Sequence, residues 1–216
     1  MSKIKFYSNP MSRGRVVRWM LEELAVPYEL EILEFGQSIK SPDYLAINPM
    51  GKVPAIKHGD IIVTEVAAIC AYLADQFPEK KLAPPPQSAE RGAYYRWLFF
   101  MAGPFEMSTS AKAYGWRIDE SNAPAVGCGR IGDAADVLES VLQKGPYICG
   151  EQFTAADIVV SSYVGWEMMQ KNLEPRPAFE AYVARTEARP AAKRANQLDD
   201  ALLASRTAEP EAALPA

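Results

Sequence analysis

Apolar and polar residues alternate in short runs along the first third of the chain, a pattern that predicts strands. The runs are KIKFY at residues 3–7, YELEILEF at 28–35 and both halves of VPAIKHGDIIVTE at 53–65, where Gly-Asp predicts a hairpin turn. Apolar residues recur at helical spacing after Ser12, a candidate N-cap, and again in EVAAICAYLADQF, so both segments are predicted helices. Strand, helix, strand, hairpin and helix in this order predict a small α/β domain with a mixed sheet.

A proline-rich segment separates this part from a longer region of helical patterns. It reads PEKKLAPPPQ, which joins a charge cluster to three consecutive prolines and is typical of a linker. We therefore predict an α/β domain at residues 1–80, a linker at 81–87 and an all-helical domain at 88–204. Residues 205–216 are poor in bulky apolar side chains, so we expect a disordered tail there.

The helical region contains one segment, FTAADIVVSSYVGWEMMQ, that is apolar nearly all round. Such a pattern predicts the buried central helix of the domain. Thr154 and Asp157 fit a capping box, with Asp in place of the usual Glu or Gln, and Phe153 with Ile158 fits a hydrophobic staple. We interpret these residues as structural, since together they start a helix and fix its entry angle.

Composition excludes several classes of function. The 216 residues carry a net charge of -4 without a basic stripe, which argues against nucleic-acid binding. No apolar run reaches the roughly 18 residues of a membrane span, and no secretory leader is apparent, so we expect a cytoplasmic protein. The three cysteines show no metal-binding spacing, and a single histidine, His58, leaves little room for a catalytic triad or a histidine metal site.

The segment NPMGKVPAI places a proline directly after Val53 at the start of a predicted strand. Proline cannot donate to a β-ladder, so it belongs at a strand start, an edge or a bulge. One interpretation is an ordinary turn that enters a short strand. The other is a cis Val53-Pro54 bond that presents backbone groups to a ligand, since X-Pro bonds adopt the cis form at tolerable cost.

Four segments together decide between these interpretations. FYSNPMSRGRVVRWMLEEL, NPMGKVPAI, VTEVAAICAYLAD and GEQFTAADI resemble, in order and spacing, the cytosolic glutathione transferase family, and the similarity covers residues 3–200. The resemblance implies a thioredoxin-like N-terminal domain followed by a C-terminal helical bundle, that is, α/β plus all-α. It also implies a cis Val53-Pro54 bond. Function transfers less safely than fold.

The resemblance assigns glutathione contacts to residues of the first domain. The backbone of Val53, held by Pro54, would pair with the cysteinyl part of the tripeptide as an added strand. Glu65 would bind its ammonium group, or else is an acid that the helix dipole favours in the first turn. The backbone N–H of Val66, at a helix N-terminus, would bind the γ-glutamyl carboxylate. The family commonly has Glu-Ser here, so Val66 removes one hydroxyl. Lys40 and Lys52 are candidates for the glycyl carboxylate, or else solvated lysines.

Two hydroxyl groups compete for the role of thiol activator. Ser12 stands before Arg13 at the start of the first predicted helix, as in bacterial serine-type members, and Tyr7 ends the first strand, as in tyrosine-type members. We favour Ser12, although serine is also a common N-cap and Tyr7 is also a plausible strand aromatic. Arg13 and Arg15 would add positive potential or be solvated. No cysteine lies in this loop, which disfavours cysteine-type chemistry.

The resemblance further implies a homodimer with a role in detoxification, in which glutathione is a co-substrate and no metal is used. Six apolar residues are candidates for a pocket that takes a small apolar electrophile, each with core packing as its alternative: Met11, Phe35, Met107, Tyr114, Trp116 and Trp166. Alternatives to the transferase are a glutathione-binding scaffold, motivated by Val66, and a glutathione-dependent isomerase, reductase or peroxidase.

Overall fold

The predicted strands form one mixed sheet in the computed structural model, which describes residues 3–208. The sheet has the order β2–β1–β3–β4, and its strands are β1 (Ile4–Ser8), β2 (Tyr28–Ile32), β3 (Ala55–His58) and β4 (Ile61–Thr64). β1 runs parallel to β2, and β3 is antiparallel to both β1 and β4. The predicted hairpin is confirmed, and its turn residue Gly59 has a φ of 62°, which glycine adopts at no steric cost.

The chain divides into two compact units. The first joins Met1–Glu65 to Pro190–Ala216, and the second is Val66–Arg189. The helices of the first unit are α1 (Gly14–Leu24), α2 (Pro42–Leu45) and α9 (Pro190–Ala208). The second unit contains α3 (Val66–Gln76), α4 (Glu90–Phe100), α5 (Glu106–Tyr114), α6 (Ile131–Leu142), α7 (Ala155–Met169) and α8 (Pro177–Glu187).

Helix α1 buries its apolar face and, unexpectedly, one arginine. Val17, Met20 and Leu24 are completely buried, as the helical spacing predicts. Arg18 lies on the same face and pairs with Asp199 of α9, with 2.9 Å between Nε and the carboxylate. The side chains are only 3% and 0% exposed, and burial raises the pKa of Asp199. Loss of either partner would leave an uncompensated buried charge.

Further ion pairs connect α9 to the rest of its unit. Arg15 contacts Asp200 at 2.6 Å, and Arg194 contacts Glu22 at 2.6 Å. A last pair joins Arg206 to Glu34, the second residue after β2. The C-terminal helix is therefore anchored on α1 and on the loop that follows β2.

The domain bounds predicted from composition differ from these compact units. The proline segment lies inside the second unit, where the buried Arg91 donates to the carbonyl of Pro84 at 2.8 Å and binds Asp75 at 2.6 Å. The predicted tail begins at residue 205, whereas α9 continues to Ala208; residues 209–216 lie outside the described part of the chain. The sequence-based domain bounds stay a prediction.

The helical pattern of SAERGAYYRWLFFMAGPFEM, at residues 88–107, predicts the start of a long helix, but the structure interrupts it. A π-helical segment, Met101–Phe105, joins α4 to α5 and contains Pro104. Proline lacks an N–H and displaces the preceding carbonyl, so the chain widens locally instead of continuing the α-helical ladder.

Helix α7 is the buried central helix that the pattern predicts, and its capping box is present. The Asp157 carboxylate accepts from the backbone N–H of Thr154 at 2.8 Å, from that of Ile148 at 2.7 Å and from the Tyr182 hydroxyl at 2.8 Å. Burial, which outweighs these donors, raises the pKa of Asp157. One carboxylate thus joins the start of α7, the preceding loop and α8.

We expect Asp157→Ala to lower the free energy of unfolding by about 3 kcal/mol, because four buried donors, the Thr154 hydroxyl among them, lose their acceptor. Urea denaturation followed by circular dichroism measures this change. Asp133→Ala is a matched control, since Asp133 occupies the same position of α6 but is exposed, so its urea midpoint should hardly move. Equal effects of the two substitutions would contradict the role given to Asp157.

Candidate active site

Several predicted site residues lie next to one row of paired residues in the sheet. Tyr7 of β1 pairs with Ala55 of β3, which pairs with Thr64 of β4. β1 ends one residue beyond this row, β4 ends at it and β3 begins at it. The segments 8–12, 53–54 and residue 65 therefore adjoin one edge of the sheet. β2 ends at the same edge, because Ile32 pairs in parallel with Ser8.

Asn9 organises the loop that follows β1. Its side-chain oxygen accepts from the N–H of Met11 at 2.9 Å, and its backbone carbonyl accepts from the N–H of Ser12 at 3.0 Å, which closes a turn around Pro10. The buried amide nitrogen of Asn9 donates to the carbonyl of Leu33 at 2.7 Å. The loop is thereby attached to the end of β2.

Ser12 lies half-buried at the entry to α1. Its hydroxyl donates to the carbonyl of Asn9 at 2.7 Å and accepts from the N–H of Gly14 at 2.9 Å. The prediction that Ser12 is the N-cap is wrong by one position, because α1 begins at Gly14 and Arg13 precedes it. The hydroxyl nevertheless binds an N–H of the first turn and lies where the helix dipole favours negative charge.

Gly14 is required by the packing of this turn. A β-carbon at Gly14 would lie 1.9 Å from the hydroxyl oxygen of Ser8 and 3.1 Å from its Cβ. Ser8 is completely buried, and within residues 3–208 its hydroxyl has no hydrogen-bond partner. The missing side chain of Gly14 therefore lets the first turn of α1 approach the end of β1.

Tyr7 is a packing residue of the first unit. It is buried in a cluster with Leu33, Ile39, Tyr44 and Ala55, and its ring centroid lies 5.6 Å from that of Tyr44. This environment matches the alternative interpretation of Tyr7 as a strand aromatic.

Asn48 repeats the geometry of Asn9. Its side-chain oxygen accepts from the N–H of Met50 at 3.1 Å, and its carbonyl accepts from the N–H of Gly51 at 2.8 Å. Its amide nitrogen donates to the carbonyl of Lys52 at 2.8 Å, which also accepts from the Tyr44 hydroxyl at 2.6 Å. The loop is thus fixed up to the residue before Val53.

The Val53-Pro54 bond is cis, which confirms that implication of the resemblance. Val53 is half-buried and Pro54 is buried. Within the part of the chain that the structure describes, the backbone N–H and C=O of Val53 form no hydrogen bond. These two groups can therefore pair with an extended ligand.

Both candidate lysines are exposed between β2 and β3. Lys40 ends a 3₁₀ turn, Ser38–Lys40, that precedes α2, and Lys52 lies in the loop that follows α2. Lys40 extends over Gly51 and donates to the carbonyl of Met50 at 3.0 Å, which leaves two of its three N–H donors for an anion. Gly51 has a φ of 56°, and a β-carbon there would lie 2.8 Å from the Lys40 ammonium. A glycine therefore lets Lys40 cross the loop. Lys52 directly follows Gly51 in this loop.

Glu65 directly follows β4 and has a φ of 66°. This left-handed conformation costs a non-glycine residue about 1–2 kcal/mol. The side chain is exposed at the sheet edge. Such strain at an exposed acid is typical of a functional position.

The two arginines of the α1 entry differ. Arg15 is engaged with α9 through Asp200 and also donates to the carbonyl of Pro10 at 3.4 Å, so it braces the Ser12 loop instead of facing a ligand. Arg13 is exposed.

The six apolar candidates are all exposed, between 49% and 75%. Met11 and Phe35 belong to the first unit, and the other four, Met107, Tyr114, Trp116 and Trp166, to the second. Tyr114 and Trp116 stack with ring centroids 5.9 Å apart. Exposure argues against core packing for these side chains, and the electrophile pocket stays a prediction.

Sequence reasoning missed Asn9, Tyr44 and Asn48. The signal that was present is the repeated Asn-Pro-Met at residues 9–11 and 48–50, since asparagine before proline favours turns. In residues 3–208 the structure contains no cluster of three potential metal ligands. No helix in that range is long and apolar enough to span a membrane.

Comparisons with known proteins identify the family of this chain. Residues 6–81 match the family described as glutathione S-transferase, N-terminal domain, and residues 121–194 match glutathione S-transferase, C-terminal domain. Glutathione S-transferase GstA of Escherichia coli O157:H7 is 32% identical over 152 residues, which cover 68% of this chain and 74% of the relative. The chain belongs to the glutathione S-transferase family.

Solved structures support the same assignment. A glutathione transferase from Methylococcus capsulatus aligns with a TM-score of 0.77 at 30% identity, covering 92% of this chain and 99% of the other. A glutathione transferase homologue from Sulfitobacter, with bound glutathione, aligns with a TM-score of 0.74 at 25% identity and the same coverage. The fold is a thioredoxin-like N-terminal domain plus a helical C-terminal domain.

We expect Gly14→Ala to lower the free energy of unfolding by about 2 kcal/mol, because the new methyl group overlaps the Ser8 hydroxyl. The double variant Ser8→Ala/Gly14→Ala should recover part of this loss, since it removes the overlapping oxygen. Gly92→Ala, within helix α4 and with open space around it, is the control and should be neutral or slightly stabilising. Thermal denaturation of the four proteins would contradict the packing argument if Gly14→Ala were as stable as Gly92→Ala.

Proposed function

We propose that this protein is a glutathione transferase that binds glutathione, stabilises its thiolate and conjugates it to small apolar electrophiles. The observation that carries the proposal is the shared sheet edge, which collects the Ser12 hydroxyl, the unpaired backbone of Val53 and the strained Glu65. In that order, these groups are complementary to a thiolate, an extended peptide backbone and an ammonium group. Glutathione combines a thiol, a peptide backbone and an ammonium group.

The backbone of the ligand pairs with Val53. The cysteinyl part of glutathione adds as a short strand to the start of β3, with its N–H and C=O on those of Val53. The strained Glu65 binds the γ-glutamyl ammonium, and the N–H of Val66 binds the neighbouring carboxylate. Without the hydroxyl that the family commonly has at position 66, one hydrogen bond is absent, which weakens binding by at most about tenfold.

Lys40 and Lys52, which both precede β3 in the chain, bind the glycyl carboxylate. Lys40 keeps two N–H donors and contacts, through the Met50 carbonyl, the loop that carries the exposed Lys52. Both ammonium groups are point charges on flexible stems, which suits a solvent-exposed carboxylate.

The thiol is activated by Ser12, as in the serine-type subclass. Lowering a thiol pKa by about two units from 8.5 takes about 2.7 kcal/mol of preference for the thiolate. The Ser12 hydroxyl rotates from the Asn9 carbonyl to the thiolate, an exchange of a neutral acceptor for a charged one. The Asn9 carbonyl still accepts a hydrogen bond from the backbone N–H of Ser12, at 3.0 Å, after the hydroxyl has rotated away. The helix dipole and Arg13 add positive potential.

Tyr7 and the cysteines fit the activating role less well. Tyr7 is enclosed by apolar side chains and Tyr44. Burial raises the pKa of the thiols of Cys70 and Cys149 to about 12, so neither is a ready nucleophile at neutral pH. These observations support Ser12 over the alternatives.

The finer expectations remain part of this proposal. They are an apolar electrophile pocket lined by the six exposed side chains, a two-fold homodimer, a cytoplasmic location and a role in detoxification. Isomerase, reductase and peroxidase chemistry would use the same bound thiolate. A non-catalytic scaffold is the second candidate, and Val66 is the observation that favours it.

Glu65→Gln should raise the glutathione Kd about tenfold or more, because a charge-assisted bond to the ammonium becomes a neutral one. Isothermal calorimetry measures Kd, and turnover with an activated aryl halide measures kcat. The kcat should change little, since Glu65 is assigned to binding. Glu29→Gln, on β2 and paired with Lys3, is the control and should leave Kd unchanged.

An unchanged Kd in Glu65→Gln would overturn the ammonium assignment. Wild type that binds glutathione but turns over none of a panel of small electrophiles would favour the scaffold. Wild type that does not bind glutathione would contradict both.

A further inference from the structure

The carbonyl of Lys52 is held by two donors. The Tyr44 hydroxyl donates to it at 2.6 Å and the Asn48 amide at 2.8 Å, so both of its lone pairs are engaged. A peptide unit is planar, and in the trans form its C=O and N–H point in opposite directions. Fixing the Lys52 carbonyl therefore fixes the direction of the Val53 N–H, the group that is proposed to meet the ligand.

Both donors are themselves rigid. The Tyr44 side chain is 3% exposed, and its ring packs on that of Tyr7. The backbone N–H of Tyr44 donates to the Ser41 hydroxyl at the start of α2, at 3.3 Å. Asn48 is buried, and its N–H donates to the carbonyl of Tyr44 at 2.8 Å. The two donors thus belong to one continuous hydrogen-bonded segment.

We propose that Tyr44 is a positioning residue for glutathione: with Asn48 it orients the Lys52–Val53 peptide so that the Val53 N–H faces the cysteinyl carbonyl of the ligand. The inference rests on the proposed function. Hydrogen bonds accepted by the Lys52 carbonyl also polarise the same peptide and make its N–H a better donor. Burial raises the pKa of Tyr44 to about 12, so its hydroxyl remains a donor at physiological pH.

This role separates binding from chemistry. Tyr44 reaches the ligand only through the Lys52–Val53 peptide, whereas the thiol is assigned to the Ser12 loop. Removing the Tyr44 hydroxyl should therefore weaken the pairing with Val53 and leave the pKa of the bound thiol unchanged. Substitution of a residue that is needed only for folding would not change the glutathione Kd while leaving the pKa of the bound thiol unchanged.

The test compares full-length wild type with Tyr44→Phe, which removes one oxygen and keeps the ring. Tyr28→Phe is the matched control, since Tyr28 belongs to the same unit, its burial also raises its pKa to about 12, and its hydroxyl donates to Glu22 at 2.8 Å away from this loop. Calorimetry with glutathione gives Kd, steady-state kinetics gives KM and kcat, and NMR of labelled, ligand-free protein gives the Lys52 ¹³C′ and Val53 ¹⁵N shifts.

In Tyr44→Phe we expect Kd and KM to rise about three- to tenfold with kcat unchanged. The Lys52 carbonyl resonance should move upfield and the Val53 nitrogen should move with it. Tyr28→Phe should change none of these quantities.

Two results would overturn the inference while the proposed function stands. One is a moved Lys52 resonance with an unchanged Kd; the other is the same rise in Kd in Tyr28→Phe. An unmoved Lys52 resonance would refute the contact itself. Wild type that fails to bind glutathione would overturn the proposed function and the role of Tyr44 with it, whereas the NMR shifts would still report whether Tyr44 orients the peptide.

Discussion

Two asparagine side chains hold the loops at the candidate site. Asn9 and Asn48 each close an Asn-Pro-Met turn through the side-chain oxygen and use the amide nitrogen to bind a backbone carbonyl, that of Leu33 or of Lys52. The first turn places Ser12 at the entry to α1, and the second leads into the cis Val53-Pro54 bond. A backbone-binding site depends on such fixation, because a mobile loop would lose entropy on binding.

The sheet and the C-terminal helix support these turns. Strand register brings the end of β1, the start of β3 and the end of β4 to one edge. Helix α9 returns to this unit and pairs with α1 through the buried Arg18–Asp199 contact, while Arg15 links Asp200 to the carbonyl of Pro10. The loop that carries Ser12 is thereby braced by a helix nearly two hundred residues away in the chain.

The sequence predicts the strands, the helices and the capping box because each depends on local spacing and turn chemistry. The cis bond and the site positions came from the resemblance and from four short segments. Three contacts could not be predicted, because each joins residues through tertiary packing that periodicity does not encode. They are the packing of Gly14 against Ser8, the hydrogen bond from the Tyr44 hydroxyl to the Lys52 carbonyl, and the packing of α9 on α1. The π segment at Pro104 was missed since α-helical spacing continues on both sides of it.

The pKa of glutathione's thiol in the wild-type complex tests the central claim most directly. Thiolate absorbance is followed against pH for wild type, Ser12→Ala and Tyr7→Phe, each saturated with glutathione. The account predicts a wild-type pKa well below the free value of about 8.5, a return towards that value in Ser12→Ala and little change in Tyr7→Phe. A wild-type pKa equal to that of free glutathione, or a rise only in Tyr7→Phe, would contradict it.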